Sequence, residues 1–356
     1  MDVKSADFGT IRASGLIRNL DTECAVLHYE GHALPLTRNH GKKRTNYLCC
    51  PSAAYLDYAI DELRHFSAHA WLKPVLHGLI EACRPLMALS GLDRQVQPNN
   101  WLVATNLLPD LADADIKEIT KDLAARHPDH VIIWRSVNDR SMAHLKVRFE
   151  NAGYRAFPSR QIYLFDARTV PPPVRRDERR DMKLLELDDY QWTQGPWEDG
   201  DFERMAWLYQ KLYLDKYTWL NPVYTPAFIQ SGHASGFLEL EGLRNRDGQL
   251  DGIVGFIDNG DTMAAPIVGY DTGLSTEAGL YRRLMAMAIR RARERRRLYN
   301  MSAGAAAFKR NRGGVASLEY IMAYDRHLGF SRRLTAGLVR GIINSVGVPL
   351  LKHFEL

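Results

Sequence analysis

Hydrophobic and polar positions change period along the chain and mark out most of its elements. "NNWLVATNLL" (99–108) is an apolar run that predicts a strand. In "DADIKEITKDLAARHPD", Ile116, Ile119 and Leu123 recur at helical spacing, acidic residues open the segment and Pro128 stops it. "HVIIWRSVN" is a continuous apolar run, the pattern of a strand covered on both faces. "SMAHLKVRFENAGY" predicts a second helix closed by Gly153, and "YRAFPSRQIYLFD" a strand interrupted by Pro158. The order is strand, helix, strand, helix, strand.

The second half repeats that order with more at its front. "MKLLELDDY" reads as a strand, and "DFERMAWLYQKLYLDKY" as a helix with Met205, Leu208 and Leu212 on successive turns. "SGFLELEGLRNRDGQLDGIVGFIDNG" is a hairpin turning at Asp247-Gly248. A strand, "DTMAAPIVGYDT", then precedes the long helix "EAGLYRRLMAMAIRRARERRR" and the strands "LYNMSAG" and "SLEYIMAYD". Two halves in one order read as a duplication of topology. Between them, "DARTVPPPVRRDERRD" (166–181) combines three prolines with dense charge that resists burial, so it reads as a linker. The expected domains are 1–170 and 182–356.

Length and composition narrow the class. The chain of 356 residues is long enough for two cores, and 46% hydrophobic with 25% charged residues is an ordinary globular balance. A net charge of +5 leaves nucleic acid, a nucleotide or neither open as partner, although arginine concentrates between 282 and 340. Cys24, Cys49, Cys50 and Cys83 show no metal-ligand spacing and read as free thiols. The start has no apolar leader, and no unbroken apolar stretch of roughly 18 residues occurs, so a cytoplasmic protein without a membrane partner is expected. The scattered histidines form no HxxxH or HExxH pair, so no metal is expected, and no GxSxG elbow marks a serine nucleophile.

One passage carries chemistry. In "YNMSAGAAAFKRNRGGVASLEY" (299–320), Phe308, Lys309, Arg310, Arg312 and a double glycine follow an apolar strand, as a surface turn or an anion site beside a reacting carbonyl would. The order hairpin, strand, long helix, strand, short helix, strand resembles the GNAT acyltransferase fold over about 182–330, and 99–166 resembles its later portion. Two such units in one α/β chain, each a mixed, mostly antiparallel sheet flanked by helices, resemble the Fem-type aminoacyltransferases and their relatives. "AAFKRNRGG" is similar to the Phe-Lys-x-x-x-Gly-Gly segment of those proteins. The GNAT pyrophosphate signature is absent, "GLSTEAGLYRR" standing in its place, no coiled-coil arm has a counterpart, and residues 1–95 match nothing in the family.

The resemblance implies transfer of an acyl group to an amine, with Lys309 polarising the acyl carbonyl. Tyr270 and Asp271, ending the strand before the long helix, are candidates to take the amine's proton. Glu239, Glu241, Glu319 and Tyr324 are weaker candidates. Arg282 and Arg283 sit in the first turns of the long helix, where an anion would offset their clash with the macrodipole. Ser302, Phe308, Arg310 and Arg312 join them as substrate-binding residues. Tyr217 and Trp219, in "YLDKYTWLNPVYTP", are expected walls of an acceptor pocket. "RRARERRR" (290–297) reads as a solvated face or as a contact for RNA phosphates, and Arg160, Gln161 and the basic loop 39–47 as contacts for a large acceptor or RNA. With no cofactor bound, the expected donor is an acyl-CoA thioester, placed first, or an aminoacyl-tRNA. The acceptor is an amine of a small molecule or peptide, and tRNA rather than DNA is the expected nucleic acid. The alternative class is a non-catalytic RNA- or protein-binding protein on a decayed fold.

Overall fold

The computed structural model describes residues 4–5, 11–29, 32–41, 46–63 and 72–354. Most of the first ten residues, and residues 42–45 of the basic loop at 39–47, therefore lie outside the described residues. Thirteen strands among those described form one sheet. The first half supplies β1 (Lys4–Ser5), β2 (Ile11–Arg12), β3 (Glu23–Tyr29), β4 (His32–His40), β5 (Arg94–Pro98), β6 (Val131–Asn138) and β7 (Arg155–Asp166). The second supplies β8 (Tyr190–Thr193), β9 (Glu239–Asn245), β10 (Leu250–Asp258), β11 (Thr262–Tyr270), β12 (Leu298–Ala303) and β13 (Val315–Tyr324).

Helices α1 (Tyr58–Glu62), α2 (Leu72–Ala82) and α3 (Arg84–Ser90) precede β5. Two crossovers then have the same form. In the first, α4 (Asp113–Arg126) carries the chain from β5 to the parallel neighbour β6, and α5 (Ala143–Asn151) leads on to β7. After α6 (Arg176–Leu184), α7 (Asp199–Gln210) and α8 (Pro226–Ala234), the second uses α9 (Leu280–Arg295) between β11 and the parallel β12, and α10 (Ala306–Arg310) leads to β13. Parallel neighbours need such crossovers because a tight turn can only reverse the chain. The other pairings are antiparallel, with Asp247 and Gly248 (φ +80°) in the β9–β10 turn.

The order along the sheet is β1-β3-β4-β5-β6-β13-β7-β12-β11-β10-β9-β8, with β2 paired to β3. The half-sheets are thus joined, and their last strands are exchanged. β13 lies between β6 and β7 of the first half, and β7 lies against β12 of the second. The first segment is laced to the second half as well. Ile17 bridges Tyr224, Tyr47 N–H donates to the Leu220 carbonyl at 3.2 Å, and Ala13, Ile17 and Leu20 share a core with α7 and α8.

Several sequence expectations change. Residues 99–108 form no strand: the strand is Arg94–Pro98, and Asn99 and Leu102 then take positive φ. Asn100 Oδ1 and Asn106 Oδ1 accept from the nearby N–H groups of Leu102 and Trp101, an alternative to ladder bonds. The strand expected in "MKLLELDDY" is also absent. The charged end of the linker is α6, which continues to Leu184, and the strand is delayed to Tyr190–Thr193. Two of its charges are buried after all: Glu178 accepts from Arg293 at 2.7 Å and Asp181 from Arg282 at 2.6 Å, each carboxylate residue being 1% exposed, while Arg175, Arg176, Arg179 and Arg180 face solvent. Finally, α11 (Phe330–Ile342) and α12 (Val348–Phe354) join through a wider turn. Phe330–His353 is long and apolar enough by length and composition to cross a membrane, although Arg340 breaks its sequence. One face of α11, with Ala336 and Val339, packs with Met87 of α3, while Phe330, Leu334 and Leu338 are exposed.

Candidate functional site

The middle of the sheet is broken by three bulges. Arg135–Ser136 of β6 oppose a single residue of β13, Met301–Ser302 of β12 oppose a single residue of β7, and the β13–β7 ladder slips beside Ser159. Ser136 and Ser302 both take positive φ (70° and 61°), although neither is glycine. A bulge leaves one residue unpaired and re-aims its neighbours, a device found beside active sites. The two equivalent strands are thus kinked at equivalent places, on either side of the exchanged pair. Polar side chains collect in the seam this opens.

Lys309 is the centre of one side. The chain turns out of β12 through Gly304 (φ +77°) and Ala305 (φ +49°) into the short α10, which carries it. Gly313 and Gly314 then close α10 by donating N–H bonds to the carbonyls of Arg310 (3.1 Å) and Lys309 (2.9 Å). A side chain at Gly313, where φ is +94°, would also crowd the Phe165 ring at 3.2 Å. Of the two readings offered by sequence, the surface turn is excluded: the passage is packed, and Lys309 is 3% exposed. Its Nζ donates to the carbonyl oxygens of Ser302 (3.1 Å) and Ala303 (2.7 Å), two of the three bonds an ammonium can make. Burial pulls its pKa down to about 7, and the charge of Arg160 adds to the shift.

Arg160, from β7, spans the seam. Its Nε donates to Glu319 Oε1 of β13 at 2.7 Å and its Nη1 to Ser302 Oγ at 3.3 Å. Its Nη2 reaches the Ala104 carbonyl at 2.9 Å and Thr105 Oγ1 at 3.0 Å. Arg135, from the β6 bulge, has weaker company. It donates to the Ala104 carbonyl at 3.3 Å, the Val103 carbonyl at 3.4 Å and Asn100 Oδ1 at 3.5 Å. Arg135 and Arg160 therefore converge on one carbonyl oxygen, which places two guanidinium groups within about 6 Å of each other. At that separation like charges repel by about 3 kcal/mol for an effective dielectric of about 20. Burial holds the Arg135 guanidinium below its usual range, and Arg160 pushes the same way. Tyr47, Tyr58 and Tyr213 stand around these cations, and burial raises all three hydroxyls.

The residues expected from sequence divide into three groups. Ser302 and Lys309 come together through the Ser302 carbonyl, and Tyr270 and Phe308 meet through Tyr281, whose ring centre lies 6.1 Å from that of Tyr270 and 5.0 Å from that of Phe308. Tyr217 and Trp219 line a neighbouring cleft of about 600 Å³ whose walls include Asp57, Asp61, Glu81, Arg84 and Asp215. Lys309 is not among its lining residues, but the Tyr217 ring is 6.4 Å from that of Tyr213.

The third group is turned elsewhere. Asp271 accepts from Arg204 at 2.9 Å and from the Gly273 N–H, so its carboxylate is held away from Lys309's partners. Arg283 is 1% exposed and donates to Asp189 and to the carbonyls of Ala278 and Leu184, which offsets its macrodipole clash without any bound phosphate. Arg282 and Arg312 both hold Asp181, with Arg312 also lying 3.4 Å over the Phe308 ring. The Arg310 carbonyl accepts from Arg175, which ties the end of α10 to the segment before α6. The run 290–297 is largely ion-paired: Arg291 pairs with Glu239 and Glu241, Arg293 with Glu178, Arg295 with Glu239 and Arg297 with Asp258, while Arg295 and Arg296 stay exposed. Glu239 and Glu241 are thereby spent as bases, and burial raises the Glu241 pKa. Arg135, Tyr47 and Tyr58 are additions that the sequence pattern hid. The only signal for Arg135 was a lone cation inside an otherwise apolar strand. Among the described residues no cluster of three His, Cys, Asp or Glu side chains could hold a metal.

Searches of family models and of curated proteins returned no match to this sequence. Among solved structures the fold is similar to that of FemX, at 9% identity over 85% of this chain and 87% of that one, with a TM-score of 0.50. L-PGS from Bacillus licheniformis aligns at 16% identity over 65% of this chain and 79% of its own, with a TM-score of 0.46. A GCN5-related N-acetyltransferase from Sphaerobacter thermophilus aligns at 14% identity over 58% and 64%, with a TM-score of 0.31. The fold is GNAT-like, and at these identities the likeness is one of fold.

Proposed function

We propose that the protein is an N-acyltransferase working in the seam, with Lys309 facing the carbonyl under attack. The amine nitrogen bonds to the acyl carbon, the bond to the donor's sulfur or oxygen breaks, and the amine's proton leaves to solvent. What this chemistry needs from a protein is alignment and a donor aimed at the developing oxyanion. The observation that carries the reading is the holding of Lys309: two N–H bonds fix the ammonium on backbone carbonyls of a bulged strand, and the third remains for a substrate oxygen. The cleft beside Tyr217 and Trp219 supports an amine acceptor, because four carboxylates, Asp57, Asp61, Glu81 and Asp215, line it, although Arg84 pairs with Asp57 and Glu81 and Lys211 with Asp215.

The donor is read as an acyl-CoA thioester or an aminoacyl-tRNA, and the geometry narrows where its phosphates sit. The start of α9, where GNAT proteins hold phosphates, is covered here by the end of α6. Arg283 caps the Leu184 carbonyl, and a Cβ on Gly279 would meet Leu184 at 3.0 Å. This packing supports a reading in which donor phosphates bind elsewhere than at that helix start. Incubation of the protein with acyl-CoA or charged tRNA in separate arms, plus a pool of amines, followed by mass analysis, tests the reading. Transfer in one arm identifies the donor. Transfer in neither, with RNA or protein binding intact, replaces the enzyme with the binding-protein reading.

A further inference from the structure

We infer that the seam binds an anionic group of a substrate, a carboxylate or a phosphate, at Arg135. The argument is one of charge. Arg135 and Arg160 share the Ala104 carbonyl, Arg160 and Lys309 share Ser302, and so three cationic side chains form one connected cluster. Glu319 is its carboxylate, and it is engaged by Arg160. Among the described residues Arg135 and Lys309 have no carboxylate within ion-pair distance. Elsewhere in this molecule guanidiniums still more enclosed than Arg135 are matched: Arg283 with Asp189, Arg291 with Glu239 and Glu241, Arg312 with Asp181. Lys309 answers its burial in part by giving up its proton, whereas a guanidinium keeps its charge, and an anion from outside completes it.

The contacts of Arg135 point the same way. Its bonds to Asn100, Val103 and Ala104, at 3.3 to 3.5 Å, are long for charge-assisted hydrogen bonds, which prefer about 2.7–2.9 Å. A planar guanidinium takes carboxylate or phosphate oxygens in pairs, and Arg135 keeps part of its side chain exposed for one. The Asn100 amide that borders it is fixed, since its Nδ2 donates to Thr37 Oγ1 at 2.9 Å. Assigning the anion to a substrate rests on the acyl-transfer reading; the charge imbalance does not. A molecule spanning the cluster would put its anionic end on Arg135 and its reacting carbonyl or amine beside Lys309.

Thermal melts of the full chain test the site without turnover. Melts are recorded in N-acetylglycine, in pyrophosphate and in sodium chloride at matched ionic strength. The expected result is a saturable rise in Tm with at least one anion beyond that in chloride. A carboxylate response points to an acceptor's or acyl group's carboxylate, and a pyrophosphate response to donor phosphates. In Arg135→Gln the anion should bind at least tenfold more weakly, while the protein in chloride melts no lower than wild type, because a repulsive charge is gone. Arg135→Lys keeps the charge but loses the paired geometry, and should fall between the two. A response that Arg135→Gln retains, or no response beyond chloride in wild type, overturns the proposal. An anion response in a protein that transfers no acyl group would refute the enzymatic reading alone.

Discussion

Two arginine-rich regions of this molecule carry similar charge to opposite ends. At the C-terminal end of α9, Arg291, Arg293, Arg295 and Arg297 reach Glu239, Glu241, Glu178 and Asp258, so the helix is clamped to the hairpin and to α6. In the seam, Arg135, Arg160 and Lys309 gather around Glu319 alone. Burial is comparable, but closure of charge is not. The first region is finished by the chain itself and works as a fastener. The second is left positive and ready for something the chain does not contain. Arginine density in a sequence therefore says little about binding until the carboxylates have been located.

The contrast is sharpest under substitution. Arg291→Met should cost about 3–5 kcal/mol, the usual effect of stranding one side of a buried pair, because Glu241 is 3% exposed and loses its counter-ion. A denaturant midpoint no lower than wild type would erase the distinction between the regions. Lys309→Met should leave the fold intact and slow acyl transfer by about 10²–10³-fold, the effect typical of removing one oxyanion donor, with donor affinity nearly unchanged. Single-turnover rates check this, and undiminished transfer would take Lys309 out of the chemistry.

The same variant has a pH signature in stability. The folded pKa of Lys309 is about 7 against an ordinary lysine value of 10.5, so between these values the unfolded chain binds more protons than the folded one. Stability of wild type relative to Lys309→Met should therefore rise with pH, by up to about 1.4 kcal/mol per unit between pH 7 and 10. Urea titrations across that range measure the slope, and a flat difference would mean the ammonium is not desolvated. The smallest effect belongs to Arg296, exposed at the C-cap of α9 with φ +54°. Arg296→Gly should stabilise by about 0.5–1 kcal/mol, since glycine takes that conformation without a Cβ clash, and should leave transfer untouched.

Much of the framework was legible because burial writes itself into period. Ile116, Ile119 and Leu123 gave α4, the run around Trp134 gave β6, and Asp247-Gly248 gave the hairpin, all of them local signals. The segment 166–184 was misread because its burial depends on partners more than a hundred residues away. Nothing near Glu178 or Asp181 in sequence announces Arg293 or Arg312. For the same reason Arg283 read as an anion site: its counter-ion, Asp189, belongs to a stretch that looked like a strand end. Lys309 was visible from its motif, whereas Arg135 sat in a run whose apolar neighbours told only of the core. The exchange of last strands had no local trace at all, since β7 and β13 carry the same alternation whichever neighbours they choose.

That exchange makes vectorial synthesis matter. As the polypeptide leaves the ribosome, the gap between β6 and β7 stays open until Val315–Tyr324 has emerged, about 150 residues after β7. Two naked backbone edges wait in the meantime, and such edges recruit strays. A chain cut before residue 315 would therefore leave both edges bare and should aggregate, and chaperone demand during expression should fall abruptly once β13 is present.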